Sequence, residues 1–147
     1  MPSVIFHLAF PIYNLEETKR FYVDGLGCTL GRASDKAITL ELAGHQLVGH
    51  LSPPVEPQKG IYPRHFGLIF RSEQDWQTLV DQARKKGLPF YQAPRRRFEG
   101  TRLEHATVFL KDPSHHLLEF KWYKYPSAIF GEQEMKEVGD TSDEAQD

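Results

Sequence analysis

The chain runs through the same order of elements twice, on either side of a proline-rich joint, and that repetition sharply limits the folds open to it. The joint is SPPVEPQKGIYP (52–63), with four prolines in twelve residues. Before it, VIFHLAFPI (4–12) is rich in β-branched and aromatic residues and reads as a strand ending at Pro11. LEETKRFYVDGLG follows, with Asn14 placed as an N-cap and Glu17 at the third helical position. Leu15, Thr18, Phe21 and Tyr22 fall at helical spacing, and Gly25 and Gly27 end the helix. KAITLEL and QLVGHL then read as strands about an AGH turn. After the joint, RHFGLIF (64–70) is a strand. SEQDWQTLVDQARKKG (72–87) is a helix capped by Ser72, with Trp76, Leu79, Val80 and Ala83 on one face. LPFYQ reads as a short strand, RRRFEGTR as a basic loop, and EHATVFL and HLLEFKWY as strands flanking a KDPSH turn. Strand, helix and three strands thus occur twice. The expected fold is α+β, with two βαβββ modules (about 3–51 and 64–125) sharing one domain over residues 1–130.

A chain of 147 residues that is 39% apolar can build one real core. Its net charge of -2 is unevenly spread: from Gly131 onward there are seven acids and one lysine, so residues 1–130 carry +4. The segment 131–147 has almost no large apolar residues and reads as an acidic, disordered tail. The negative overall charge and the shortness of the basic cluster argue against nucleic acid as a partner. No apolar run approaches the roughly 18 residues of a membrane span, and no basic-then-apolar leader is evident. The single cysteine, Cys28, has no adjacent histidine and reads as a packing residue. These features lead to the expectation of a cytoplasmic chain acting on a small molecule.

Glu119 is the residue that demands explanation, because it interrupts the apolar run HLLEFKWY with no arginine beside it. A buried, unpaired carboxylate costs several kcal/mol, so such a group has a partner or a metal. Histidines occur near the start of both first strands, His7 in FHLAF and His65 in RHFGLIF. Ligand-type residues occur late in both last strands, His50 in LVGHL and Glu119 in LLEFK. If the modules pack as a pseudo-twofold pair, these four come from equivalent places and can converge. Two imidazoles and one carboxylate make the facial triad associated with non-haem Fe(II).

At these residues the sequence resembles the vicinal oxygen chelate superfamily, which includes glyoxalase I, fosfomycin-resistance proteins, bleomycin-resistance proteins and extradiol dioxygenases. The resemblance spans about residues 4–124 and rests on FHLAFPIYNLEETKRFYVDGLGC, RHFGLIF and VFLKDPSHHLLEF, in that order. It implies two βαβββ modules whose curved sheets form a cleft around a metal, with His7, His65 and Glu119 as ligands. It also implies a homodimer, in some members with modules paired across subunits. Two departures stand out. His115 takes the place of a usual glycine after the aspartate–proline turn, a position that can demand positive φ. His50 stands where a glyoxalase I would place Glu or Gln.

His50 is open to three readings: a fourth ligand suited to Zn or Ni, a cleft-lining group, or a structural residue. Gln46 alternates with Val48 and His50 and is a candidate to line the same cleft. His105, provided its strand face looks inward, and His50 are the candidate catalytic proton carriers. His45, His115 and His116 read as turn or surface residues. Within the basic loop, Arg97 and Arg102 are candidates to clamp a carboxylate or phosphate on the substrate. The expected function is a metal-dependent, dioxygenase-like enzyme that binds vicinal oxygens of a small substrate at Fe(II). Its alternatives are a glyoxalase-like isomerase or lyase using Ni or Zn, with Mn as a further candidate ion, and a metal-free small-molecule binder.

Overall fold

The structure is a computed structural model and describes residues 3–139. The first module comprises β1 (His7–Ile12), α1 (Leu15–Lys19), a π-helical continuation (Arg20–Gly25), β2 (Thr29–Ala33), β3 (Ala37–Leu42) and β4 (His45–Leu51). The second comprises β5 (Phe66–Phe70), α2 (Glu73–Lys85), β6 (Phe90–Arg97), β7 (His105–Lys111) and β8 (Leu117–Tyr123), followed by a short α3 (Ser127–Phe130). The sheets have matching strand orders, β1-β4-β3-β2 and β5-β8-β7-β6, each with one parallel pair. The chain therefore has the α+β fold of two βαβββ modules. Among the described residues no helix is long and apolar enough to cross a membrane.

Local chemistry accounts for the elements. Asn14 and Ser72 cap α1 and α2, their side chains accepting from the N–H groups of Glu17 (2.8 Å) and Asp75 (3.1 Å). Pro11 is tolerated in β1 because that strand lies at the sheet edge and needs no donor on its open side. After α1 the helix widens: Leu26 N–H reaches back five residues to the Phe21 carbonyl at 2.9 Å. The extra residue in the turn carries two neighbouring aromatics, Phe21 and Tyr22, into the core together.

One apolar core holds both modules. It draws Phe10, Ile12 and Leu40 from the first sheet, Tyr22 and Val80 from the helices, and Val108, Leu118 and Phe120 from the second sheet. Each such fully buried side chain contributes roughly 1.5–3 kcal/mol. Trp76 adds a directional contact, its indole N–H donating to the Phe120 carbonyl at 2.7 Å. The junction is clasped by the turn after β7. The Tyr22 hydroxyl donates to buried Asp112 at 2.7 Å, and the Ser114 and His116 N–H groups donate to the other Asp112 oxygen, both at 2.8 Å. His116 Nε2 donates to the Pro11 carbonyl at 2.6 Å. His116 is thus a half-buried clasp between modules and not the solvated turn residue expected from sequence. His115 does occupy the left-handed region, at φ 70°.

This arrangement turns the opposite face of each sheet away from the shared core. His7, Ala9 and Pro11 of β1 and His50 of β4 lie exposed on the open face of the first sheet. The corresponding face of the second sheet carries His105, Thr107 and Phe109 of β7 and Glu119 of β8, all buried. Two segments differ from the sequence expectation. Arg95, Arg96 and Arg97 belong to β6 rather than to a loop. Residues 131–139 run along the open side of the second sheet instead of leaving the domain, and the rest of the acidic tail lies outside the described residues.

Candidate functional site

On β8, Glu119, Lys121 and Tyr123 share one face because alternate residues of a strand point the same way. Beside Glu119, β5 comes unusually close. A Cβ at Gly67 would lie 1.7 Å from the Glu119 carbonyl oxygen, so no side chain fits at that position. Across β7, Thr107 Oγ1 donates to Glu119 Oε2 at 2.5 Å. Just before β5, His65 brings Nε2 to 3.2 Å from Glu119 Oε1, and Lys121 Nζ lies 3.7 Å from the same oxygen. Lys121 also donates to the Tyr123 hydroxyl at 3.1 Å.

The tautomer of His65 is set by the joint. Buried Ile61 packs with Phe109 and Leu117, which holds its carbonyl 2.7 Å from His65 Nδ1. A carbonyl only accepts, so Nδ1 carries a proton. Nε2 then faces a carboxylate oxygen, and the pair is favourable only with a second proton or another cation between them. Two donors at right angles about an ion with bonds of ~2.1 Å stand about 3 Å apart. The spacing of Nε2 and Oε1 therefore suits two neighbouring positions on a divalent ion, and the carbonyl behind the ring is the usual outer partner of such a histidine.

The charges follow from these contacts. Burial alone would push the Glu119 carboxyl up, but the His65 hydrogen bond, the Lys121 charge and the Thr107 hydroxyl outweigh it and hold the group at about 2. The Glu119 hydrogen bond raises His65 against the opposing effect of burial. For Lys121, burial is likewise outweighed by Glu119 and Tyr123, and its value is raised. His105 moves the other way, because burial lowers it. Its Nδ1 donates to the Leu103 carbonyl at 2.9 Å, which leaves Nε2 with a lone pair.

These groups line a cavity of about 590 Å³, within the size range of small-molecule sites. Its apolar wall includes Ile61, Leu103 and Phe109, its polar wall Arg97, His105, Glu119 and Lys121, and residues 128–139 cover it. A hollow of similar size, about 600 Å³, lies at the module junction. Opposed charges such as Glu17, Arg20, Asp24 and Lys86 line it, and its buried carboxylate, Asp112, is already committed to the clasp. The convergent donors belong to the cavity of the second sheet.

Of the residues singled out from sequence, His65, His105, Glu119 and Arg97 meet in this cavity, whereas His7, Gln46, His50 and Arg102 do not line it. His7 lies on the open first sheet, with Nδ1 2.7 Å from Gln46 Oε1. As an acceptor, that oxygen fixes the same tautomer as in His65, with Nε2 turned outward. Gln46 thus orients His7 rather than lining the cavity. Arg102 stacks over Tyr125 at 4.2 Å and reaches Glu132 at 3.4 Å. Among the described residues no group of three or more His, Cys, Asp or Glu side chains gathers in a way that could hold a metal.

Register places His50 differently from the sequence expectation of equivalence with Glu119. Glu119 pairs with Gly67, two residues beyond His65. Two residues beyond His7 is Ala9, and its partner is Val48. Val48 is therefore the counterpart of Glu119, and His50, opposite Pro11, is the counterpart of Lys121. Lys121 itself was missed from sequence, although its i+2 spacing from Glu119 placed it on the same strand face. Cys28 is buried as expected, and burial pushes its thiol up to about 12, which removes it as a nucleophile.

Known proteins agree with this architecture. A solved glyoxalase/bleomycin resistance protein/dioxygenase from Alicyclobacillus acidocaldarius is 45% identical, covers 88% of this chain and 98% of its own, and superposes with a TM-score of 0.84. The fosfomycin resistance protein FosX from Mesorhizobium loti is 16% identical over 88% of this chain and 99% of its own, with a TM-score of 0.65. A glyoxalase-related enzyme from Fulvimarina pelagi is 17% identical over 82% of this chain and 88% of its own, with a TM-score of 0.63. At these identities the latter two attest the fold alone. No curated protein matches the chain. The family model for the Glyoxalase/Bleomycin resistance protein/Dioxygenase superfamily matches residues 4–120, and the chain belongs to that superfamily.

Proposed function

We propose that the chain is a divalent-metal enzyme acting on a small substrate with neighbouring oxygen donors, dioxygenase-like in its chemistry, with His65 and Glu119 as one half of its ion site. The observation that carries this reading is the His65 geometry. With Nδ1 committed to Ile61, Nε2 stands 3.2 Å from a carboxylate oxygen, a spacing that a bound divalent ion satisfies as well as a second ring proton does. His7, with its outward Nε2 set by Gln46, is the third ligand, contributed by a second copy of the chain. Exposed apolar residues support that homodimer: Val4, Ile5 and Phe6, which lead into β1, are 74%, 69% and 60% exposed.

A bound ion, Fe(II) in this reading, would supply Lewis-acid polarisation of the substrate oxygens. The chain's own groups do the rest. Arg97 and Lys121 draw an anionic oxygen or carboxylate of the substrate to the polar wall. His105, kept neutral by burial and with Nδ1–H bound to Leu103, presents Nε2 to take a proton from a substrate hydroxyl. Ile61, Leu103 and Phe109 exclude water from the apolar wall.

Elemental analysis of protein purified anaerobically without chelator tests the reading, followed by oxygen uptake with catechols. Iron together with uptake supports it. Nickel or zinc with isomerase activity and no uptake would move the assignment to the glyoxalase-like alternative. One observation favours the metal-free binder as a second reading: Lys121 and Thr107 already contact the Glu119 carboxylate, so a protonated His65 completes its shell without an ion. Absence of any retained or added metal, with small-anion binding intact in His65→Ala, would establish that reading.

A further inference from the structure

We infer that residues 131–139 form a displaceable strap that partly covers the cavity of the second module and is held in place by Glu132. The strap runs over the cavity, contributing Glu132, Met135 and Glu137 to its lining, and ends at Gly139 beside the Tyr62 hydroxyl. It lies beyond residue 120, where the match to the superfamily ends.

The strap's attachment is thin. Seven of its nine residues are exposed, and only Glu132 and Met135 are half-buried. Glu132 accepts from Ser127 Oγ at 2.5 Å and from Arg102 at 3.4 Å, so one side chain ties the strap both to α3 and to the loop after β6. Glu132 also stands in the left-handed region, at φ 58°, which disfavours a residue with a Cβ. A strained residue persists only while its surroundings over-determine it, and here those surroundings are the two side-chain bonds it accepts and the backbone bonds from Gly131 N–H to Ser127 and from Met135 N–H to Glu132. Segments with so little buried surface open at the low end of a protein's stability range.

Beneath the strap, the side chains of His65 and Glu119 are 24% and 7% exposed. A substrate, or a ligand from a second copy, has to come within bonding distance of an ion held by this pair, and such bonds are only ~2 Å long. The strap stands over the approach to both. It narrows the mouth of the cavity in the isolated chain, and breaking the Glu132 bonds is the step that opens it fully to a partner. In this respect the inference rests on the proposed function, but the closure itself does not.

Carbethoxylation of histidines by diethyl pyrocarbonate, mapped by peptide mass spectrometry on the full chain, reads the closure directly. His50, exposed on the first sheet, serves as the internal reference. In the parent protein His105 should react at least tenfold more slowly than His50. Glu132→Ala, and independently Arg102→Gln, should speed His105 at least threefold while leaving His50 unchanged. An unchanged His105 rate in both variants overturns the strap. So does an equal acceleration of His50, which would report general loosening. If one variant fails to fold, the other decides. A faster His105 in variants that still retain no divalent ion would leave the strap standing and remove the metal reading.

Discussion

Val48 holds in the first sheet the register position that Glu119 holds in the second, each paired with the residue two beyond its module's first histidine. The pseudo-symmetry of the two halves is therefore broken by chemistry at one position: a carboxylate on one side and an isopropyl group on the other. An ion between the modules would meet at most three of the four symmetric side chains as donors. Val48→Glu should restore the fourth and raise the affinity for Ni²⁺ or Zn²⁺ at least tenfold, measured by isothermal titration calorimetry. Unchanged affinity would mean that the first sheet does not face the ion.

Thr107→Val removes the hydroxyl that donates to Glu119 Oε2 while keeping the side chain's shape. A hydrogen bond to a buried charged group is worth about 1.5–3 kcal/mol. The variant should lose stability on that order in urea titrations, and its Glu119 carboxyl should titrate higher.

Gly67→Ala puts a methyl group where β5 and β8 touch, 1.7 Å from the Glu119 carbonyl oxygen. The strands have to part. A loss of at least about 3 kcal/mol, or failure to fold, is expected, since overpacking of even one methylene costs about 1–3 kcal/mol. Gly87→Ala has open space around it and lacks that clash, so it should lose only about 1–2 kcal/mol, the cost of a Cβ at its φ of 69°. Comparing the two midpoints in chemical denaturation checks the assignment.

The His65–Glu119 pair should give the metal-free protein a stability optimum between about pH 4.5 and 6.5. Glu119 sits at about 2 in the folded chain against an ordinary 4.5, so its contribution is present above 4.5 and is lost as pH falls towards 2. His65 is raised above its ordinary 6.5, so its contribution is full below 6.5 and fades as pH climbs through the raised value. On the acid side the whole Glu119 shift, to which His65, Lys121 and Thr107 all contribute, is worth on the order of 3 kcal/mol. Glu119→Gln should flatten both limbs of a plot of unfolding free energy against pH. A dependence that survives the substitution assigns it to other groups.

How much of this could be read from the chain depended on which physical signal carried it. The caps at Asn14 and Ser72, the apolar face of α2 and the positive φ of His115 are local matters, and local chemistry announces them. The partnership of His65 with Glu119 was legible because a lone carboxylate in an apolar strand demands an answer. The exchange of His50 for Val48 was not, because alternation fixes only which face a residue occupies. Its offset along the sheet is decided by strand pairing. Arg95–Arg97 resemble a loop by charge but continue β6, since they pair with Thr107, Ala106 and His105 of β7, and Arg97 alone reaches the polar cavity. Lys121 went unnoticed because lysines usually point to water, and this one is drawn inward by the carboxylate two residues earlier.

The clasp of Asp112 and His116 fixes the two halves of a chain back to back, so on the proposed reading a single molecule would carry two incomplete centres and could not join them. Function would then be divisible between molecules. A His7→Ala chain and a Glu119→Gln chain, each inert alone, should rescue one another when mixed, because each mixed pair rebuilds one whole centre from its undamaged halves.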